Sequence, residues 1–346
     1  MRDVAVVAFA QSQHSTRDAD STEVEILAPV IADAVAQAGV ARQSIGFTCS
    51  GSCDYLVGAP FSFVSALDAV GAWPPISESH VEMDAAWALY EAWVRLQHDD
   101  GTDTALVYGF GKASNVDVAE MLALQLDPYY LAPLWPDQVS LAALQARAYI
   151  EARGVDGGEL AAVGSAAREA GAANPNAVPY GSATYPDPVE PLRPGDVAPV
   201  TDGAAAIILA AGDAVRACTD DPAWIRGIAH RIEAHSVGAR DLTRSRSTEQ
   251  AAAAAGLGQT PVDIAEVHAQ FGHEQLILRD ALGLGPDVRI NPSGGPLAAN
   301  PVMATGLIRI GEAAARVRDG SARRAVAHAT SGPCLQQNLV CVLEGE

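Results

Sequence analysis

AVAQAGVARQSIGFTCSGS (Ala34–Ser52) and AAAAAGLGQTPVDIAEVHAQ (Ala251–Gln270) are two versions of one pattern. Each is an Ala-rich helical run stopped by a glycine, Gly39 or Gly256. Val or Leu follows at once, and a β-branched residue, Ile45 or Val262, stands six positions after the glycine. Glycine stops helices because it enters the left-handed region at no steric cost, and the β-branched run beyond it reads as a strand. A second pair lies further along. Ala85–Gln97 reads as a helix followed by the turn and buried strand DDGTDTALVYGFG, and Thr305–Arg318 is followed in the same way by DGSARRAVAHATSG. The offset is 217 between Gly39 and Gly256 and 219 between Gly101 and Gly320. Two elements repeated at a near-constant offset predict two copies of a β-α-β-α-β unit of about 130 residues each.

Between the copies, from about Lys112 to Pro199, the character changes. DPYYLAPLWPD, two helical runs and the Pro-rich NPNAVPYGSATYPDPVEPLRPGD precede the apolar strand TDGAAAIILA. An insertion of this size on an α/β scaffold reads as functional. The expected organisation is residues 1–111 plus 200–215 as the N-terminal half, 112–199 as the insertion and 216–346 as the C-terminal half.

Composition narrows the function classes. The 346 residues are 49% hydrophobic and carry 22 Lys and Arg against 42 Asp and Glu, a net charge of −20. Nucleic-acid binding is disfavoured, since phosphate binders carry a basic face. No apolar run reaches the ~18 residues of a membrane span, and MRDVAVVAFA is too short and too soon polar for a signal peptide. Five cysteines (49, 53, 218, 334 and 341) are an odd count that fits reduced thiols in a cytoplasm. Cys49 and Cys53 lack a second ligand pair at zinc-ribbon distance, so no metal site is expected.

Several segments carry a family likeness over almost the whole chain: VEMDAAWALYEAW (Val81–Trp93), ALVYGFGKAS (Ala105–Ser114), AREAGAANPNA (Ala167–Ala177), TDGAAAIILA (Thr201–Ala210), EVHAQFGHEQL (Glu266–Leu276) and INPSGGPLAANPVMATG (Ile290–Gly306). Together they resemble the thiolase superfamily, in its sterol-carrier-protein-x and bacterial lipid-transfer-protein branch. The resemblance implies an α/β thiolase fold, two repeated halves in a layered αβαβα sandwich with a loop and helical insertion. It also implies an acyl-CoA thioester as substrate with no permanently bound cofactor, a homo- or heterodimer with a thiolase-like subunit, and an OB-fold/zinc-ribbon partner protein.

The departures from the family pattern bear on chemistry. The family's nucleophilic Cys falls on Ala85, and its GHP histidine on Asn300, which cannot abstract a proton at neutral pH. The C-terminal Cys-x-Gly motif meets SGPCLQQ. A gapless count puts Gly332 at the Cys, while a two-residue shift puts Cys334 there. His268 is retained at the end of the strand DIAEV. Catalytic candidates are therefore His268, Asn300 and Cys334, and the candidate substrate-binding turn is Ser293, Gly294 and Gly295, where tight glycines bring the backbone close to a ligand or another subunit. His273 and Glu274 read as solvated or capping residues at a helix start, Asp84 as a partner of a helix dipole, His328 as a satisfied core histidine, and Tyr129, Tyr130 and Trp135 as packing residues. His80 is a lesser candidate for the pocket wall. The branch resembled contains retro-aldolases of steroid side chains that lack the Cys. The expected activity is thus carbon–carbon lyase cleavage of a β-hydroxyacyl-CoA through an enolate in an oxyanion hole. A catalytically silent subunit of a heteromeric complex is the alternative.

Overall fold

The computed structural model describes residues 2–71, 76–98, 101–179, 181–182 and 186–346. Parts of the expected DDG turn (99–100) and of the Pro-rich loop (180 and 183–185) lie outside the described residues. The first half holds β1 (Val4–Gln11), α1 (Glu23–Ala38), β2 (Phe47–Gly51), α2 (Asp54–Val57), α3 (Ser62–Val70), β3 (Glu78–Val81), α4 (Ala85–Leu96) and β4 (Thr104–Gly111). The insertion contributes α5 (Val118–Leu124), α6 (Gln138–Arg153) and α7 (Gly157–Ala173), after which β5 (Gly203–Ala211) and α8 (Ala214–Cys218) return to the first half. The second half holds β6 (Ala223–Ile232), α9 (Arg246–Ala254), β7 (Ile264–Val267), α10 (Gly272–Ala281), β8 (Arg289–Ile290), α11 (Thr305–Arg318), β9 (Arg324–Ser331) and β10 (Gln337–Glu344).

The strand order is β3-β2-β4-β5-β1-β6-β10-β9-β7-β8. Read outward from the middle, the two halves have the same order, so each repeats the other about a two-fold between β1 and β6. The repeating unit is larger than β-α-β-α-β. It gains a further helix and two strands, the last of which, β5 or β10, pairs antiparallel with β4 or β9. The halves join where Ala5 pairs with Trp224 and Val6 with Ala223.

Five layers follow from which faces are apolar. In β4, Val107 points to one face of the sheet and Leu106 and Tyr108 to the other, the period-two alternation of a strand. The central α4 and α11 are small-residue helices, and Ala88, Leu89, Ala92, Leu307, Ile310 and Ala314 fill one core between the inner faces of both halves. α1 lays Leu27 and Ile31 on the outer face of the first half, and α9 and α10 lay Ala251, Leu276 and Ile277 on that of the second. Each fully buried Leu or Ile contributes roughly 1.5–3 kcal/mol. The insertion rests on the second half, where Val139, Ala142 and Ala146 of α6 pack on Phe271. No described helix is long and apolar enough to cross a membrane.

Small residues make the centre tight. A Cβ on Gly51 would stand 2.5 Å from the Cα of Ala85, and one on Gly109 would overlap the Cβ of Ala85. Glycine at both positions lets α4 start directly against β2 and β4.

Candidate active site

In an α/β sheet ligands gather at the carboxyl ends of the strands, and a cavity of about 490 Å³ lies there. Its wall is built from the ends of β3, β7 and β9, the start of α4, and Leu122, Gln125 and Leu141 of the insertion. A volume of this size suits a drug-sized ligand.

His268 stands at the end of β7, buried, on the wall. Its backbone N–H donates to the His328 carbonyl (3.2 Å), and Nδ1 accepts from the Thr330 backbone N–H (3.4 Å). Nε2 meets the Gln270 side-chain amide at 3.2 Å. A backbone N–H cannot be turned around, whereas a side-chain amide can. Gln138 Nε2 donates to Gln270 Oε1 (2.9 Å); placing the ring proton on Nε2, as the Thr330 N–H requires, needs both amides turned, so that the Gln270 oxygen faces His268 and its nitrogen donates to the Gln138 oxygen. Burial, with the charges of His328 and Arg309, holds the imidazole pKa well below its ordinary value. His268 is a neutral N–H donor at physiological pH.

Glu274, in the first turn of α10, is buried on the same wall. Oε2 accepts from the backbone N–H groups of Gln270 (2.8 Å) and Phe271 (3.2 Å), so the capping expectation holds while the solvated one does not. Burial raises its pKa to about 8, against the two backbone bonds that favour the anion. It is a carboxylic acid poised near neutrality, the property expected of a proton-transfer group. His273, beside it, is buried against Gln145 (3.2 Å) and held neutral by burial, its pKa pushed down to about 3.

Cys334 also lines the wall. Its thiol donates to the Leu141 carbonyl (3.4 Å) and burial pushes its pKa up to about 12, so it is a neutral S–H and not a thiolate. Gly332, Cys334 and Leu335 all have positive φ (76°, 55° and 57°) in the β9–β10 turn, which Arg240 braces by donating to the carbonyls of Pro333 (2.9 Å) and Cys334 (3.0 Å).

Other sequence candidates lie apart from the cavity. Asn300 is buried just behind the wall residues Val302 and Met303, its Oδ1 accepting from the Thr305 hydroxyl (2.8 Å). The Ser293 hydroxyl donates to Glu266 (2.7 Å) and accepts from Arg309 (2.5 Å), a buried ion pair between β7 and α11. Gly294, at φ 93°, leaves room for α7: a Cβ there would come within 2.9 Å of Gly171. A Cβ on Gly295 would meet the Asn291 side chain at 2.5 Å. What passes close to this turn is the chain's own insertion and its own Asn291. His80 bonds Ser50 (3.0 Å) and stacks on Phe63 (4.6 Å), off the cavity wall. His328 is buried in the core as expected but only half satisfied: Nε2 bonds Asn338 (2.9 Å) while Nδ1 has no partner. Tyr129, Tyr130 and Trp135 are exposed (83%, 70% and 51%) where packing was expected.

Asp84 joins the two central helices. Its carboxylate accepts from Ala86 of α4 (2.8 Å) and from Gly306 (2.8 Å) and Leu307 (3.2 Å) of α11. Ala85, fully buried, donates its N–H to the Met303 carbonyl (2.8 Å). Met303 reaches that position with φ 82°, a left-handed conformation that costs a non-glycine residue ~1–3 kcal/mol. Among the described residues no group of three His, Cys, Asp or Glu is placed to hold a metal ion, and all five cysteines are free.

No protein-family model matches the chain. It is similar to acetyl-CoA acetyltransferase of Methanothermobacter thermautotrophicus, 29% identical over 262 residues that cover 66% of this chain and 68% of that protein. It is 27% identical to the acetyl-CoA acetyltransferase of Methanocaldococcus jannaschii over 350 residues, 90% and 89% of the two chains. Sterol carrier protein 2 of Gallus gallus is 32% identical over 171 residues, 41% of this chain and 30% of that protein. Among solved structures, an Ltp2-ChsH2(DUF35) aldolase superposes with a TM-score of 0.78 at 18% identity, over 99% of this chain and 97% of that one. Human mitochondrial 3-ketoacyl-CoA thiolase superposes at 0.76 and 15% identity over 100% and 99%. The chain has the thiolase fold, and its relatives lie in the thiolase superfamily.

Proposed function

We propose that this chain is a carbon–carbon lyase that cleaves a β-hydroxyacyl thioester with a bulky, steroid-like acyl group by a retro-aldol reaction, without a covalent acyl-enzyme. The observation that carries the reading is the pairing, on one cavity wall, of a neutral histidine N–H donor with a carboxyl group poised near neutrality. The Glu274 carboxylate takes the proton of the β-hydroxyl. The bond between the α and β carbons breaks, giving a ketone or aldehyde and a thioester enolate. The enolate oxygen receives the Nε2–H of His268 as Gln270 turns toward Gln138, and Glu274 returns its proton to the α carbon. Such a preorganised donor is worth about 3–4 kcal/mol, or 10²–10³ in rate. Asn300 orders the loop of the wall residues Val302 and Met303, and the neutral S–H of Cys334 lies on the wall. The likeness in fold to an Ltp2-ChsH2(DUF35) aldolase supports the lyase reading and a heteromeric assembly.

A silent subunit is the competing reading, and an open cavity with converging polar groups weighs against it. The purified chain, alone and with a co-expressed OB-fold/zinc-ribbon partner, is supplied with a panel of β-hydroxyacyl-CoA and β-ketoacyl-CoA thioesters. Release of a ketone or aldehyde with a shorter acyl-CoA, lost in His268→Ala while the protein stays folded, is expected. Cleavage with a partner that survives His268→Ala would transfer the chemistry to the partner.

A further inference from the structure

The cavity wall carries four carboxyl groups, Glu82, Asp84, Glu233 and Glu274, and no Lys or Arg among its described residues. Three arginines of the flanking segments make contacts of their own. Arg240 donates to the Pro333 and Cys334 carbonyls, Arg231 folds back onto the His230 carbonyl (2.7 Å), and Arg244 pairs with Glu249 (2.5 Å). The acids are fixed in place: Glu82 accepts from the Asp54 backbone N–H (2.7 Å) and Glu233 from that of Ser247 (3.0 Å). The wall's other polar side chains are neutral: Gln125, which donates to Cys53 Sγ (3.2 Å), the paired Gln138 and Gln270 (2.9 Å), and Gln336 and Gln337.

A CoA thioester has two unlike parts. Its pantetheine arm is neutral and carries two amides and a hydroxyl, groups that glutamine side chains pair with. Its nucleotide carries three phosphate groups, which acids repel and which phosphate-binding sites meet with Arg or Lys. We propose that the ligand this chain itself recognises is the acyl-pantetheine part of a thioester, and that the nucleotide phosphates add nothing to its affinity. The inference rests on the thioester reading above and sharpens its substrate class.

The test is calorimetric, on the full chain, with two non-cleavable thioether analogues bearing the same acyl group, one on pantetheine and one on CoA. Each is titrated at about 10 mM and about 150 mM NaCl, which shortens the Debye length from about 30 Å to about 8 Å. The pantetheine analogue is expected to bind at least as tightly as the CoA analogue and with little salt dependence. The CoA analogue is expected to tighten, by roughly three- to tenfold, as salt screens the repulsion. Glu82→Gln should narrow the difference between the two analogues at low salt. A CoA analogue that binds tenfold or more tighter than the pantetheine analogue, and weakens with salt, would overturn the inference and leave the thioester reading standing. Binding of neither analogue would overturn both.

Discussion

Glu274→Gln separates the stability and the chemistry of one buried carboxyl. Gln keeps an oxygen for the Gln270 and Phe271 N–H groups and removes the titration. In the native protein burial raises the Glu274 pKa from 4.5 to about 8. Between those values the folded state holds a proton that the unfolded state gives up, so this group's contribution to stability is full below pH ~4.5 and is lost as pH rises toward 8. A tenfold difference in proton affinity between folded and unfolded states is worth about 1.4 kcal/mol, so the loss reaches roughly 4 kcal/mol by pH 8. Asp84, also raised by burial, to about 6, loses its own share at lower pH, equally in both proteins, and cancels in the difference. Urea unfolding at pH 5 and pH 8 should therefore show Glu274→Gln gaining several kcal/mol over the parent across that interval. The activity moves the other way. The parent's kcat/KM should climb about tenfold per pH unit from 6 and level near 8, as the carboxylate form appears. The variant should lie about 10²–10⁴ lower and show no such limb. A stability difference independent of pH would refute the buried neutral acid, and a variant of parental activity would refute its role in proton transfer.

Other perturbations probe neighbouring parts of the site. The His268 ring should stay neutral from pH 8 to pH 5, its imidazole NMR shifts unchanged across that range. Ala85→Cys should cost about 1–3 kcal/mol from overpacking against Gly51 and Gly109, and its thiol should resist iodoacetamide in the folded protein; rapid labelling would mean α4 opens onto the cavity. Asp84→Ala removes the cap of two helices at once and should cost about 2–4 kcal/mol in urea unfolding. Cys334 should remain unalkylated at pH 8, where its thiol is fully protonated.

The repeat was legible because glycine stops leave marks that packing does not erase. Gly39 and Gly256 both take positive φ, and β2 and β7 both begin eight residues beyond them. The helix read at Thr305–Arg318 has those bounds in the structure. The last antiparallel strand of each unit is not legible as part of the repeat, since the insertion separates β5 from β4 while β10 follows β9 directly. The edge strands β3 and β8 span four and two residues, too few for any periodicity. At the site, His268 was legible from its place after an apolar strand. Glu274 was not, because an acid in a first helical turn has the same signature whether solvated or buried. Its burial comes from α6, an element more than a hundred residues earlier, lying over Phe271. The Ser293–Gly295 turn had the residues of a ligand loop, but a buried Glu266–Arg309 pair and the approach of Gly171 use them up.

Asp84 and Ala85 together decide what kind of chemistry this end of the cavity can support. A helix N-terminus carries about half a positive charge and unpaired N–H groups, which is what lowers the pKa of a thiol placed there. Here α4 and α11 converge, yet the Asp84 carboxylate takes Ala86, Gly306 and Leu307, and the Met303 carbonyl takes Ala85. The donors that would stabilise an anion are already paired with one. A thiolate introduced at position 85 would meet a neighbouring carboxyl group and an apolar wall of Ala and Gly, both of which raise a thiol pKa. Restoring a nucleophile alone would therefore leave it inactive, and removing Asp84 to free the donors would loosen both central helices. Across the cavity stand the His268 ring, paired with Gln270, and the Glu274 carboxyl, to which the reaction proposed above assigns the charge stabilisation and the proton transfer.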